Sequence, residues 1–97
     1  MKITVDTRLF PMLAEVVGQE ALEVDLQDRG TTIKDLIEEL TRRYGQRARE
    51  ALLDEGGKFD TMIQIVLNGE RWIPGNELDT RLSDGDSVAF MLLIGGG

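Results

Sequence analysis

Residues 32–44 limit what this chain can fold into more than any other stretch. Ile33, Leu36, Ile37, Leu40 and Tyr44 recur at the spacing of one helical face, so an apolar stripe has to be buried against another element. Thr31 or Thr32 can cap the start, because a hydroxyl can accept from an unpaired helix N–H. Asp35 in the first turn and Arg42 and Arg43 in the last suit the charge of the helix ends. Gly45 predicts a left-handed stop. No second long stretch has this period, so the sequence predicts one main helix and something flat for it to cover.

The flat part is legible as alternation. Ile3 and Val5 share one face of residues 2–7, and Leu22, Val24 and Leu26 share one face of residues 21–26. A short helical turn ended by Gly18 joins these strands, and an antiparallel pair with a long connection follows. Residues 46–53 read as another helical turn. Residues 63–67 form a third strand, and Asn68-Gly69 is a tight-turn signal before a short strand at Trp72-Ile73. Leu78 and Leu82 read as core pins on an irregular segment. Ser83-Asp84-Gly85-Asp86 is a turn, and residues 87–94 are the last strand. The order predicts an α+β fold, a mixed sheet with the helix packed across one face. The β-grasp, or ubiquitin-like, fold has this order. A ferredoxin-like fold would need a second long amphipathic helix.

Composition removes several chemistries. The 97 residues make one domain and contain neither cysteine nor histidine. A disulfide scaffold, a Cys/His zinc site, a thiol nucleophile and a histidine base are therefore excluded. The net charge of −7 repels phosphate backbones, and no Lys/Arg cluster offsets it, so nucleic acid is a poor partner. The same charge suits solubility or a basic partner. No apolar run reaches the ~20 residues of a membrane span. The start reads as a strand and not a signal peptide, and the expected location is the cytoplasm.

The end of the chain carries the functional argument. Val88, Phe90, Leu92 and Ile94 alternate with Ala89, Met91 and Leu93, so both faces of the last strand are apolar. The third strand has a weaker form of the same surplus. Met62, Val66 and Met91 either form an exposed binding patch or tuck under loops. Gly95, Gly96 and Gly97 bury nothing, and are either an incidental remnant or a functional tail. The functional reading has a chemical basis. A glycine wire without Cβ atoms can pass a narrow channel and present its carboxylate to another enzyme. There the carboxylate can attack ATP to give an acyl-adenylate, and a sulfur donor can displace AMP to leave a thiocarboxylate. Nothing catalytic is needed on the chain itself.

With these features in place, the sequence resembles the ubiquitin-like sulfur carriers, the small subunit of molybdopterin synthase most of all. The resemblance rests on Leu9-Phe10 with Leu13 and Gly18, and on Thr32-Ile33-Lys34-Asp35-Leu36 running to Leu40 and Tyr44-Gly45. It rests further on Val66-Leu67-Asn68-Gly69-Glu70, and above all on the run from Leu82 through Asp84-Gly85-Asp86 and Val88-Ala89-Phe90 to the glycines. It implies a β-grasp domain over residues 1–94 and a tail over residues 95–97. It implies that Gly97 is the acyl site, with Gly95 and Gly96 bound as the tail. It also implies an adenylating enzyme of the ubiquitin-activating type that consumes ATP, no cofactor bound to the chain, and a large synthase subunit or another sulfur-acceptor enzyme. The expected partner surface is Met62, Val66, Phe90, Met91, Leu92, Leu93 and Ile94. One departure stands out. Leu92-Leu93 occupies the place where the small synthase subunit usually has a proline pair.

Two other classes use the same residues. A ubiquitin-like modifier would join the activated carboxylate to a target lysine, and the thiamine and tRNA-thiolation carriers are relatives. A plain β-grasp binding module would need no tail. Glu38-Glu39 and Asp84/Asp86 read as solvated surface and not as metal or acid–base pairs. Gly56-Gly57-Lys58 lacks the rest of a phosphate loop. Trp72 reads as a sheet-packing residue and not a ligand platform.

Overall fold

A computed structural model describes residues 1–26 and 31–92. Five strands and three helices follow the order β1 (Lys2–Asp6), α1 (Pro11–Val17), β2 (Ala21–Asp25), α2 (Ile33–Tyr44), α3 (Gln46–Leu52), β3 (Ile63–Leu67), β4 (Arg71–Ile73) and β5 (Ser87–Leu92). The sheet order is β2-β1-β5-β3-β4. β1 pairs antiparallel with β2 and parallel with β5, while β5 and β4 flank β3 antiparallel. This is the mixed sheet with helices across one face that the alternation predicts, a β-grasp fold.

The core is the inner row of each strand closed by the helices. Ile3 and Val5 of β1, Val88 and Phe90 of β5, and Ile65 of β3 meet Leu36 and Leu40 of α2, all essentially without exposed surface. The start of α2 is a capping box. The Thr32 hydroxyl accepts the Asp35 N–H at 3.3 Å, and the Asp35 carboxylate accepts the Thr32 N–H at 2.9 Å. Gly45 does end α2, but not in the left-handed helical region. Its φ of 71° comes with ψ of −145°, which turns the chain sharply enough for α3 to begin at the next residue.

The two turns flanking the central strands are structural. Asn68 and Gly69 both have positive φ, and the Glu70 N–H closes the turn onto the Leu67 carbonyl at 3.2 Å. The Asp86 carboxylate accepts the Ser83 N–H at 2.8 Å and the Asn68 side-chain amide at 3.0 Å. Asp84 accepts the Lys2 N–H at 2.6 Å. The two carboxylates thus splice β1, the β3–β4 turn and β5 together, which is more than solvated surface. Glu39 also differs from a free surface acid, since it is bound by Arg42 and Arg43 at 2.6 and 3.4 Å. Among the described residues no cluster could hold a metal, and no helix is long and apolar enough to cross a membrane.

Candidate functional site: the outer sheet face and the end of β5

The helices cover one face of the sheet, and the other stays open. Along β5 the alternation puts Ala89 and Met91 on that outer face and Val88 and Phe90 inside. One cross-strand row of the outer face runs Trp72, Val66, Ala89, Asp6, Ala21. Gln64 and Met91 stand opposite each other in a neighbouring row. Apolar side chains therefore concentrate on β4, β3 and β5, and polar ones on β1 and β2.

β5 reaches its last described residue under restraint from both sides. Leu92 pairs with Ile63 of β3, and its N–H donates to the Leu9 carbonyl at 3.1 Å. Leu92 thus uses a backbone N–H that a proline at this position would lack. A small cavity of about 260 Å³ lies beside it, lined by Asp6, Arg8, Leu9, Ala89, Phe90 and Met91. Arg8 holds Asp6 through its Nη2 at 2.7 Å, and this hydrogen bond lowers the Asp6 pKa from the ordinary carboxylate value.

The expected partner residues divide. Met62, just before β3, is exposed, and Met91 and Leu92 are half-buried. Two expectations need correction. Phe90 has no exposed surface, because it shares the inner face with Val88 on a strand flanked by β1 and β3; its ring lies 6.2 Å from that of Phe59. Val66 faces outward but is only 8% exposed, standing between Trp72 and Ala89 in the ladder. Leu93, Ile94, Gly95, Gly96 and Gly97 lie outside the described residues.

Three apolar residues missing from the expected surface are open to solvent. Trp72 is 58% exposed on the edge strand, contrary to its reading as a packed residue, and Leu9 and Met12 are 64% and 52% exposed. The sequence did not mark Trp72: a two-residue Asn68-Gly69 turn would set it opposite Ile65 on the inner face, whereas the structure pairs it with Val66 on the outer one. Leu9 and Met12 carried no signal either, because their run is almost wholly apolar and shows no alternation.

A search of curated proteins finds no match. Solved structures do match along the whole chain. SAMP1 from Haloferax volcanii is 25% identical, with 100% of each chain covered and a TM-score of 0.79. A putative molybdopterin converting factor subunit 1 from Pyrococcus furiosus is 27% identical over 97% of this chain and 99% of that one, with a TM-score of 0.71. Urm1 from Trypanosoma brucei is 25% identical over 99% and 95%, with a TM-score of 0.67. The sequence profile of the ThiS family matches residues 8–97. The chain belongs to the ThiS family of ubiquitin-like sulfur carriers, small proteins that serve enzymes without being enzymes themselves.

Proposed function

We propose that this chain carries sulfur for cofactor synthesis as the small subunit of a molybdopterin synthase. The Gly97 carboxylate attacks the α-phosphorus of ATP on an adenylating enzyme of the ubiquitin-activating type, and pyrophosphate leaves. A sulfur donor then attacks the acyl carbon and AMP leaves, giving a thiocarboxylate. Gly95 and Gly96 give the tail its passage into the partner, and the large synthase subunit accepts the sulfur. Met62, Trp72 and Met91 form the docking surface, and the cycle runs in the cytoplasm.

The observation that supports this reading is the span of the family match, which takes in both the anchored end of β5 and all three glycines. The likeness to the Pyrococcus furiosus converting factor subunit favours the molybdopterin branch. A second reading, conjugation to protein lysines, has support from the likeness to SAMP1, a small archaeal modifier protein.

Intact mass after incubation with ATP, sulfide and the adenylating enzymes of the source organism tests the proposal. Replacement of one oxygen by sulfur at Gly97 is the expected result. No mass change with any of those enzymes overturns it. Isopeptide-linked conjugates in place of free thiocarboxylate would favour the modifier.

A further inference from the structure

On the helix side of the sheet a groove of about 1300 Å³ opens between α2, the loop at residues 53–61 and the segment after β4. Its origin is topological. β4 pairs only with Ile65, Val66 and Leu67, so Ile63 and Gln64 have no strand beside them on that edge. The chain beyond β4 instead returns to α2, where the Leu78 carbonyl accepts the Lys34 N–H at 2.9 Å. Half-buried Leu53, Phe59 and Leu78 give the groove an apolar lining.

Its charge is opposite to that of the whole molecule. Lys34, Arg42, Arg49 and Lys58 line it against only Glu38 and Asp54, in a chain of net charge −7. Arg42 is held by Glu39, and Asp54 is occupied by the N–H groups of Gly56 and Lys58 at 2.9 and 3.0 Å. The side chains of Lys34, Arg49 and Lys58 make no ion pair among the described residues. With Arg42 set against Glu39, Lys34, Arg49 and Lys58 outnumber Glu38 and Asp54, so this concave site on an acidic protein keeps a local positive excess that attracts anions.

Geometry selects the kind of anion. Lys34 stands in the first turn of α2 and Arg42 in the last, about 12 Å apart along the axis at ~1.5 Å per residue. Arg49 belongs to the far end, where it shares a smaller cavity with Gly57, the neighbour of Lys58. A single phosphate cannot span that distance, whereas an extended chain covers it in about four residues. The volume also exceeds the roughly 300–1,000 Å³ of a small-ligand pocket.

We propose that this groove docks an extended acidic peptide segment of a partner protein. Two carboxylates about four residues apart meet Lys34 at one end and Arg49 and Lys58 at the other. An apolar side chain between them rests on Leu53, Phe59 and Leu78. The groove lies on the helix-covered side, so its occupant leaves the outer sheet face free. The proposal does not depend on the sulfur-carrier reading.

The test is a titration of the isotope-labelled full chain, followed by amide chemical shifts, with a synthetic peptide. The peptide carries two glutamates about four residues apart with leucine and valine between them. Saturable shifts at residues 34, 49, 53, 58 and 78 are expected, with Thr4, Glu23 and Ala89 unmoved. Lys34→Glu combined with Lys58→Glu should weaken binding about tenfold or more, and a peptide with lysines in place of the glutamates should not bind. Lys58→Gln is the milder variant: Lys58 is bonded in the loop through its backbone N–H and carbonyl and not its side chain, so the fold is kept, and affinity should still fall about threefold. Four results would overturn the proposal: no saturation by about 1 mM peptide, unchanged affinity in the double variant, equal shifts from inorganic phosphate, or shifts centred on the outer face. Groove shifts that grow with protein concentration alone would assign the site to a second copy of the chain, and would also overturn it.

Discussion

Leu92 donates its backbone N–H to the Leu9 carbonyl, and that bond ties the last described residue of β5 to the segment after β1. A proline here would have no N–H to give. Leu92→Pro should therefore cost about 1–3 kcal/mol, from the lost bond and the lost leucine packing. Denaturant unfolding measures it, and an unchanged midpoint would mean the bond contributes nothing. Trp72 shows the opposite limit of legibility. Its strand followed from the Asn68-Gly69 turn, but its register and its exposure did not: Val66 and not Ile65 stands opposite it, and alternation says nothing about what covers a face. Phe90 was misread for the same reason: an apolar residue on a two-sided apolar strand has no sequence mark for which side is closed. Trp72→Ala should uncover Val66 and weaken partner binding while lowering stability by no more than about 1 kcal/mol; a larger loss would make Trp72 a packing residue after all.

At the scale of elements, α2 was legible nearly to its ends, because stripe, cap and charges agreed. The stripe is what the fold depends on. Leu36 and Leu40 have no exposed surface, so either one changed to alanine should cost ~2–5 kcal/mol in denaturant unfolding. What periodicity could not give was the junction. Gly45 serves α2 and α3 at once through a backbone conformation open in practice only to glycine. A Cβ there would meet nothing within 4 Å, so the loss in Gly45→Ala, about 1–3 kcal/mol, would be pure backbone strain. The Arg42 hydrogen bond lowers the Glu39 pKa from its ordinary 4.5. A carboxylate with a depressed folded pKa adds stability above its unfolded value, and loses it as pH falls through the folded one. Glu39→Gln should therefore flatten the decline in stability on acidification below about pH 4.5, as read by thermal melts across that range.

For the whole molecule, the division of labour follows from where the buried surface ends. Among the described residues, the buried core runs from Ile3 to Phe90. β5 sits in the middle of the sheet, held between β1 and β3. With Gly97 as the proposed acyl site, chemistry and stability would fall to different parts of one short chain. That separation is why a sequence without cysteine or histidine could still point to a reaction: the reactive group proposed is the chain's own terminal carboxylate, and the rest presents it. Removing Gly96 and Gly97 tests the separation directly. The melting temperature should stay within about 2 °C, less than the ~4–8 °C that 1 kcal/mol moves a domain of this size. Charging with sulfur should be abolished. If the shortened chain unfolds, the tail is structural; if it still accepts sulfur, the acyl site lies elsewhere and the carrier reading of Gly97 fails.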